Sequence, residues 1–338
     1  MARTSVNAKD VADLAGVSRA AVSRSFTPGA SVSAETRAKV FQAAETLGYQ
    51  VNHLARGLIR SETGLVALIA AEINTPYRSN MLAALTARLQ EAGKVALLIN
   101  TDRSDASVER ALRQAISYRT DAAVVMSGMP ARSLAETCLR NGMRLVLINR
   151  DEERPGSIRI QLDDAEAGRQ AFATLVAAGC KRLALATSQA GTPSLAGREE
   201  GFKAAASEAG VDLTVAALGM TSYQTGLDLG TQLMARPDRP DGVFCTTDLL
   251  ACGVLDAARH RFGFQVPHEL SVIGFDDIEE ARWESYALTT FAQPVEGIAD
   301  AAVDWLKHAE DPKESATTVS LPARMIWRGT VRPFRNHD

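Results

Sequence analysis

The first residues that could do chemistry lie near the N-terminus. Arg19, Ala20, Ser23 and Arg24 fall within a short segment that follows Ser18, a residue type well suited to start a helix. An arginine on such a helix can pair with guanine in a major groove about 12 Å wide. A serine hydroxyl suits a phosphate. These residue types indicate contact with nucleic acid, although any small three-helix bundle is an alternative.

A second set of polar residues lies in the body of the chain. Arg198 can donate a bidentate pair of hydrogen bonds to hydroxyls or a carboxylate, and Asp276 can accept hydrogen bonds from sugar hydroxyls. Asp276 and Asp277 could also form a catalytic or metal-binding pair, but no histidine or third carboxylate lies near them in sequence. Each of these residues could instead have a structural or surface role. No catalysis is expected from this set.

Motifs of common enzyme classes are absent from the sequence. No G-x-G-x-x-G follows a strand, and neither a Walker loop nor a nucleophile elbow occurs. The four cysteines form no Cys-x-x-Cys pair and have no histidine at zinc spacing, which predicts buried free thiols at Cys138, Cys180, Cys245 and Cys252. No catalytic residue, metal site or cofactor is therefore expected.

Composition narrows the class of protein. Of 338 residues, 46% are hydrophobic and 23% charged, which excludes a mainly disordered chain. No run reaches the ~18 apolar residues of a membrane span, and the N-terminus lacks the features of a signal peptide, so a cytoplasmic protein without a membrane partner is expected. Residues 1–61 carry eight basic and four acidic side chains, whereas the whole chain has a net charge of −3. A basic head on an acidic body favours a polyanion-binding module joined to another domain.

Helical spacing explains how the N-terminal residues are positioned. A first short helix is predicted around Asp10–Ala15 and ends at Gly16, and a second follows over Arg19–Ser25. Two short helices joined by a tight glycine turn form a helix-turn-helix. A third helix, Ala34–Leu47, is expected between Ser33 and Gly48.

In residues 64–338, apolar runs alternate with helical patterns. The runs predict buried parallel strands at Leu65–Ala70, Val95–Ile99, Ala122–Met126, Leu145–Ile148, Leu183–Ala186, Val243–Cys245 and Ser271–Gly274. The alternation favours parallel sheets with helices on both faces. About ten strands are too many for one small sheet, so we expect two Rossmann-like subdomains with a cleft at the carboxyl ends of their strands.

Four motifs occur in order in the head: Val11-Ala12-x-x-Ala15-Gly16-Val17-Ser18, Val22-Ser23-Arg24, Val32-Ser33-x-x-Thr36-Arg37-x-x-Val40 and Leu47-Gly48-Tyr49. Together they resemble the DNA-binding head of the lac repressor family (LacI/GalR). The resemblance implies that Arg19 and Ala20 are the variable base-reading pair. Ala21 departs from the family, which commonly has a phosphate-contacting threonine there.

Residues 50–63 are expected to link the head to the body. A helix of this length that contains Gly57 would be marginal alone, and an ordinary tether is the alternative. The resemblance implies a hinge that folds on operator DNA, pairs with its dimer mate and inserts Leu58 into the minor groove. It also implies contacts from Asn52 and Ala55. The family's usual proline before Asn52 is Val51 here.

The resemblance continues in the body, through Asn74-Thr75-Pro76-Tyr77, Gly197-Arg198-x-x-Gly201-Phe202, Phe244-Cys245-Thr246-Thr247-Asp248 and Val272-Ile273-Gly274-Phe275-Asp276-Asp277. It implies a periplasmic-binding-protein-like core with effector contacts at Tyr77, Asn149, Arg198, Thr247, Asp276 and Gln293. Arg103 is a further candidate for this pocket. We expect Asp248 to cap the helix that follows Thr247.

The sequence thus predicts an all-α helix-turn-helix head (1–49), a hinge (50–63) and an α/β ligand-binding and dimerisation domain (64–338). The last is expected to divide into an N-subdomain, about 64–161 and 294–323, and a C-subdomain, about 162–293 and 324–338. The resemblance implies a homodimeric transcriptional regulator, most often a repressor. A small-molecule effector, such as a sugar or related metabolite, would control its binding to double-stranded operator DNA. The alternative is a soluble ligand-binding or catalytic protein whose basic head does not read DNA.

Overall fold

The computed structural model describes residues 6–27, 29–51, 62–128, 131–150, 156–308 and 317–333. The chain divides into two compact units, Met1–Thr63 and Gly64–Asp338. The predicted hinge residues Asn52, Ala55 and Leu58 lie outside the described residues. No helix among those described is long and apolar enough to cross a membrane.

The described residues of the first unit form three helices: α1 (Ala8–Ala15), α2 (Arg19–Ser25) and α3 (Ala34–Leu47). Each start is set by a polar cap, since Asn7, Ser18 and Ser33 accept hydrogen bonds from the first turns of α1, α2 and α3. Gly16 ends α1 in the left-handed conformation, at φ 65°. The predicted three-helix head with its helix-turn-helix is confirmed, although Asn7 starts α1 two residues earlier than the apolar pattern indicated.

A small apolar core holds the three helices together. It is formed by buried residues from all three: Val11, Ala12, Val22, Val40, Ala43 and Ala44. Phe26 meets Phe41 edge to face at 5.1 Å between ring centroids. Ser25 is also buried, because its hydroxyl donates to the carbonyl of Ala21 within the same helix.

The described residues of the second unit form two six-stranded sheets. The strands are β1 (Leu65–Ala71), β2 (Val95–Thr101), β3 (Ala122–Val125), β4 (Arg144–Ile148), β5 (Ser157–Leu162), β6 (Leu183–Ser188), β7 (Leu213–Leu218), β8 (Gly242–Cys245), β9 (Ser271–Asp276), β10 (Thr289–Ala292), β11 (Thr317–Leu321) and β12 (Arg324–Ile326). The first sheet has the order β11-β5-β4-β3-β1-β2, and its strands are all parallel. The second sheet has the order β12-β10-β9-β8-β6-β7, and of these strands β12 alone is antiparallel to its neighbour.

Helices alternate with these strands, as the predicted parallel architecture requires. They are α4 (Pro76–Glu91), α5 (Asp105–Ser117), α6 (Arg132–Arg140), α7 (Asp164–Ala177), α8 (Pro193–Glu208), α9 (Tyr223–Met234), α10 (Asp248–Asp256), α11 (Glu279–Arg282) and α12 (Val295–His308). A π-helical turn, Ala257–Arg261, continues α10. The four cysteines are free and buried, as predicted.

Glycines allow two of these helices to pack backbone to backbone. A Cβ on Gly168 of α7 would lie 2.3 Å from the carbonyl oxygen of Arg198, and one on Gly201 of α8 would lie 1.9 Å from that of Ala165. Only glycine permits this approach of α7 to α8. The close packing brings Arg198 of α8 next to Asp164, the first residue of α7.

Candidate functional site

The exposed face of α2 is the candidate site of the first unit. Arg19, Ala20, Ser23 and Arg24 are all exposed, whereas Val22 on the opposite side is buried in the core. Their i, i+3 and i+4 spacing places them on neighbouring positions of one helix surface. The arrangement offers two guanidinium groups and a hydroxyl to a groove or phosphate backbone.

The candidate site of the second unit is a cavity at the carboxyl ends of parallel strands. Four of its lining residues end or follow strands: Glu72 after β1, Arg103 after β2, Asn149 after β4 and Asp276 at the end of β9. All four have positive φ, at 53°, 74°, 54° and 130° respectively. Such conformations cost about 1–3 kcal/mol each and tend to cluster at functional sites. Their concentration around one cavity makes it the candidate binding site.

Three helices begin at the same cavity. The first turns of α4 and α8 contribute Tyr77 and Ser194, and Thr247 stands immediately before α10. Helix N-termini carry partial positive charge and free N–H groups. The cavity therefore presents hydrogen-bond donors and a positive field from three directions.

Arg198 is the most tightly held charged residue of the cavity. It is 3% exposed, its Nε donates to Asp164 Oδ1 at 2.8 Å, and its Nη1 donates to the Thr246 carbonyl at 2.8 Å. Its guanidinium carbon lies 3.4 Å from the centre of the Phe275 ring. These contacts fix the guanidinium plane, so Arg198 can present a preorganised fork to a ligand.

Asp276 lies beside Arg198 and accepts a hydrogen bond of 2.6 Å from Gln293 Nε2. Its Oδ1 is 3.7 Å from Arg198 Nη1. Burial raises the pKa of Asp276, and the neighbouring Arg198 opposes that shift. The carboxyl group is thus a strong acceptor for ligand hydroxyls as long as it remains ionised.

Three buried polar atoms of the cavity lack a hydrogen-bond partner among the described residues: Tyr77 Oη, Asn149 Oδ1 and Gln293 Oε1. Burial also raises the pKa of Tyr77 to about 12, so its hydroxyl keeps its proton and can donate. An unsatisfied buried polar atom costs about 1–3 kcal/mol. A ligand with several hydroxyl groups would satisfy all three atoms.

All six predicted effector contacts line this one cavity, together with Arg103. One associated expectation was wrong. Thr247, not Asp248, caps α10, because the Thr247 side chain accepts from the Leu250 N–H at 3.4 Å. Asp248 is fully buried behind it and accepts hydrogen bonds from the Thr290 hydroxyl and the Ile278 N–H.

Four charged residues at or next to the cavity were not predicted from the sequence. Glu72, Arg78 and Arg150 line it, and Asp164 pairs with Arg198. Arg78 and Arg150 directly follow predicted contacts, and Glu72 follows a predicted strand. Their positions in the chain could therefore have identified them as cavity residues. No group of described histidines, cysteines and carboxylates is arranged to hold a metal ion.

Two family models match the chain. The model described as bacterial regulatory proteins, lacI family, matches residues 7–52, and a periplasmic binding protein-like domain matches residues 172–331. The ribose operon repressor of Escherichia coli K12 is 30% identical over 329 residues, which cover 96% of this chain and 99% of that protein. The transcriptional regulator DegA of Bacillus subtilis is 29% identical over 331 residues, with coverages of 96% and 98%.

Solved structures show the same architecture. The lac repressor dimer bound to operator and the anti-inducer ONPF matches with a TM-score of 0.87 at 23% identity, covering 96% of this chain and 98% of that chain. This likeness confirms the predicted fold of a helical head followed by a periplasmic-binding-protein-like α/β body. Together with the full-length similarity to the ribose operon repressor, it shows that the chain belongs to the lacI family of bacterial regulatory proteins.

Proposed function

We propose that the protein is a sequence-specific DNA-binding transcriptional repressor controlled by a small-molecule effector. The observation that carries the effector site is the set of three buried, unpartnered polar atoms around Arg198 and Asp276. The exposed face of α2 supports DNA recognition. Relatives that match nearly the full length of the chain are named as repressors, which supports repression over activation.

The effector would act by bridging two subdomains. We propose an N-subdomain of about 64–161 and 294–323 and a C-subdomain of about 162–293 and 324–338. Tyr77 and Asn149 would contact the ligand from the first, and Arg198, Thr247 and Asp276 from the second. A ligand that contacts both sides favours a closed arrangement, and differential affinity for two arrangements is the basis of allosteric control.

Operator recognition would require a homodimer in the cytoplasm. Two α2 helices would read the half-sites of a pseudo-palindromic operator, with Arg19 and Ala20 at base edges and Ser23 and Arg24 beside them. Hinge residues Asn52, Ala55 and Leu58 would contact the minor groove between the half-sites. The protein would not be an enzyme, since relatives that match nearly its full length are named as transcriptional regulators.

The test starts from binding sites selected out of random DNA duplexes by the full-length protein. Affinity for the selected site and for a scrambled site is then measured by fluorescence anisotropy at two salt concentrations. A regulator binds the selected site far more tightly, by about 10³-fold or more, and both affinities fall with salt. Equal affinity for the two sites would contradict the proposal, and turnover of a metabolite would then favour the catalytic alternative.

Lys39→Ala is a suitable control variant for the head. Lys39 is an exposed cation on α3 that pairs with Glu35 at 2.8 Å. The variant removes a positive charge from the head without changing α2. Lys39→Ala should therefore select the same DNA site as the unmodified protein, whereas Arg19→Ala should select a different site.

A further inference from the structure

The effector cavity continues into a second cavity. The first has a volume of about 110 Å³ and the second about 450 Å³. They share six lining residues: Glu72, Arg78, Arg103, Met126, Arg150 and Thr192. The larger volume falls within the range of ~300–1,000 Å³ that is typical of small-molecule sites. A ligand can therefore extend from Asp276 past the shared residues.

Three of the shared residues are arginines, and two of them are held by the protein itself. Arg103 donates to Glu72 Oε1 at 3.0 Å and to the carbonyl of Ala190 at 3.0 Å. Arg150 donates to the carbonyls of Ile148 and Gly128 at 3.2 and 3.4 Å. These contacts give both side chains fixed positions next to Arg78.

Arg78 has no described carboxylate within ion-pair distance, whereas Arg103 pairs with Glu72 at 3.0 Å. Its guanidinium carbon lies 5.8 Å from the centre of the Tyr77 ring. Burial lowers the pKa of Arg78, yet an arginine remains protonated at neutral pH. A cation in a cavity with no described carboxylate in direct contact favours the binding of an anion.

The first turn of α4 adds to this preference. Arg78 is the third residue of the helix, and Thr75 before it makes no side-chain capping hydrogen bond. The partial positive charge of the helix start therefore acts on the same region as the Arg78 guanidinium. A neutral ligand would leave both uncompensated.

We propose that the effector is a polyhydroxylated metabolite that carries an oxyanion, either a carboxylate or a phosphate. The anion contacts Arg78 and the first turn of α4, and the hydroxyl groups contact Asp276, Gln293 and Asn149. The inference rests on the proposed function, because it names the chemical class of the ligand in the same cavity. Asp276, among the hydroxyl contacts, disfavours ligands with a second negative charge at that end, while Glu72 is paired with Arg103.

The experiment measures affinity for matched neutral and acidic ligands by isothermal titration calorimetry on the full-length protein. The panel is D-glucose, D-gluconate, D-glucuronate and D-glucose 6-phosphate, with the corresponding ribose and galactose series. We expect the preferred acid to bind about 10- to 100-fold more tightly than its neutral parent, as charge-assisted hydrogen bonds require. Whether the carboxylates or the phosphate bind more tightly identifies which oxyanion the site accepts.

Arg78→Gln is the decisive variant, with Arg236→Gln as its matched control. Arg236 is an exposed arginine outside both cavities and pairs with Asp238 at 2.8 Å. Arg78→Gln should remove most of the advantage of the acid over its neutral parent, whereas Arg236→Gln should retain it. Near-ultraviolet circular dichroism checks that Arg78→Gln keeps the native packing.

Two binding results overturn the inference while leaving the proposed function open to a separate test. Equal affinities of the protein for an acid and for its neutral sugar overturn the inference. An acid that binds Arg78→Gln as tightly as it binds the unmodified protein also overturns it. If that binding is lost in Arg198→Ala, the effector cavity stands and only its anionic character is wrong. If Arg198→Ala also binds normally, the ligand lies elsewhere and the proposed cavity fails as well. No binding across the whole panel would also count against the inference.

Discussion

Replacing Arg198 by methionine removes a buried cation but keeps a long side chain against Phe275. In the native protein Arg198 lies 2.8 Å from Asp164 and 3.7 Å from Asp276, and the three side chains are 3%, 10% and 9% exposed. Removing one partner of a buried pair leaves an uncompensated charge and costs about 3–5 kcal/mol. We expect Arg198→Met to lower the free energy of unfolding of the second unit by this amount at about pH 8, and to abolish effector binding.

The loss of stability should be smaller at acid pH. Burial raises the pKa of Asp164 in the folded protein, and Arg198 opposes the shift. Without Arg198 the folded-state pKa rises further above the unfolded value, so the native state binds more protons than the unfolded state between the two values. Stability then falls as the pH rises through this interval. The difference between Arg198→Met and the parent is therefore smaller at about pH 5 than at about pH 8.

The assay is urea denaturation followed by tryptophan fluorescence, which reports the second unit because Trp283, Trp305 and Trp327 all belong to it. Arg169→Met is the matched control, since the exposed Arg169 links the same two helices through Glu208 at 2.7 Å. Loss of that exposed pair should change the free energy by less than about 1 kcal/mol.

A double variant separates charge from packing in this prediction. Asp164→Asn in the Arg198→Met background removes the uncompensated charge, so it should recover part of the lost stability without restoring effector binding. An equal stability loss at both pH values, or a double variant that is no more stable than Arg198→Met, would contradict this prediction.

Three further predictions concern the head, the hinge and the cavity. Arg24→Ala should weaken operator binding, and Arg19→Ala should change the preferred base, since each lost base contact costs about 1–3 kcal/mol of binding free energy. If both variants select the same site as the unmodified protein, α2 is not the recognition helix. Leu58→Ala should reduce operator bending and affinity in a circular-permutation gel assay, and parental bending would indicate a simple tether. Asp276→Asn should abolish the effector response while leaving operator binding largely intact. Because burial raises the pKa of Asp276, effector affinity of the parent protein should weaken as the pH falls below neutral, and calorimetry showing no such dependence would count against an ionised acceptor.

Local signals in the sequence were sufficient for much of the fold. The bounds of α2 and α3 agree with those predicted, because capping serines and a terminal glycine act within one helical turn. Helix starts were less accurate where another residue could cap the helix, as in α1, which Asn7 caps so that it begins at Ala8 and not at the predicted Asp10. Strands such as β7 and β11 were not predicted. Both are partly exposed edge strands, and β11 also lacks a continuous apolar run.

The family, the two-part organisation and the placement of Arg198 and Asp276 in the cavity could be predicted from the sequence. All three follow from motifs whose spacing is visible along the chain. Only the tertiary structure showed that Arg78 stands near Arg103 without a carboxylate partner among the described residues, and that Asp164 neutralises Arg198. The reason is that the cost of a charge depends on its burial and its neighbours, which are set by strand order and helix packing. Residues 31 and 34 positions apart, Glu72 with Arg103 and Asp164 with Arg198, meet through that packing and through no local pattern.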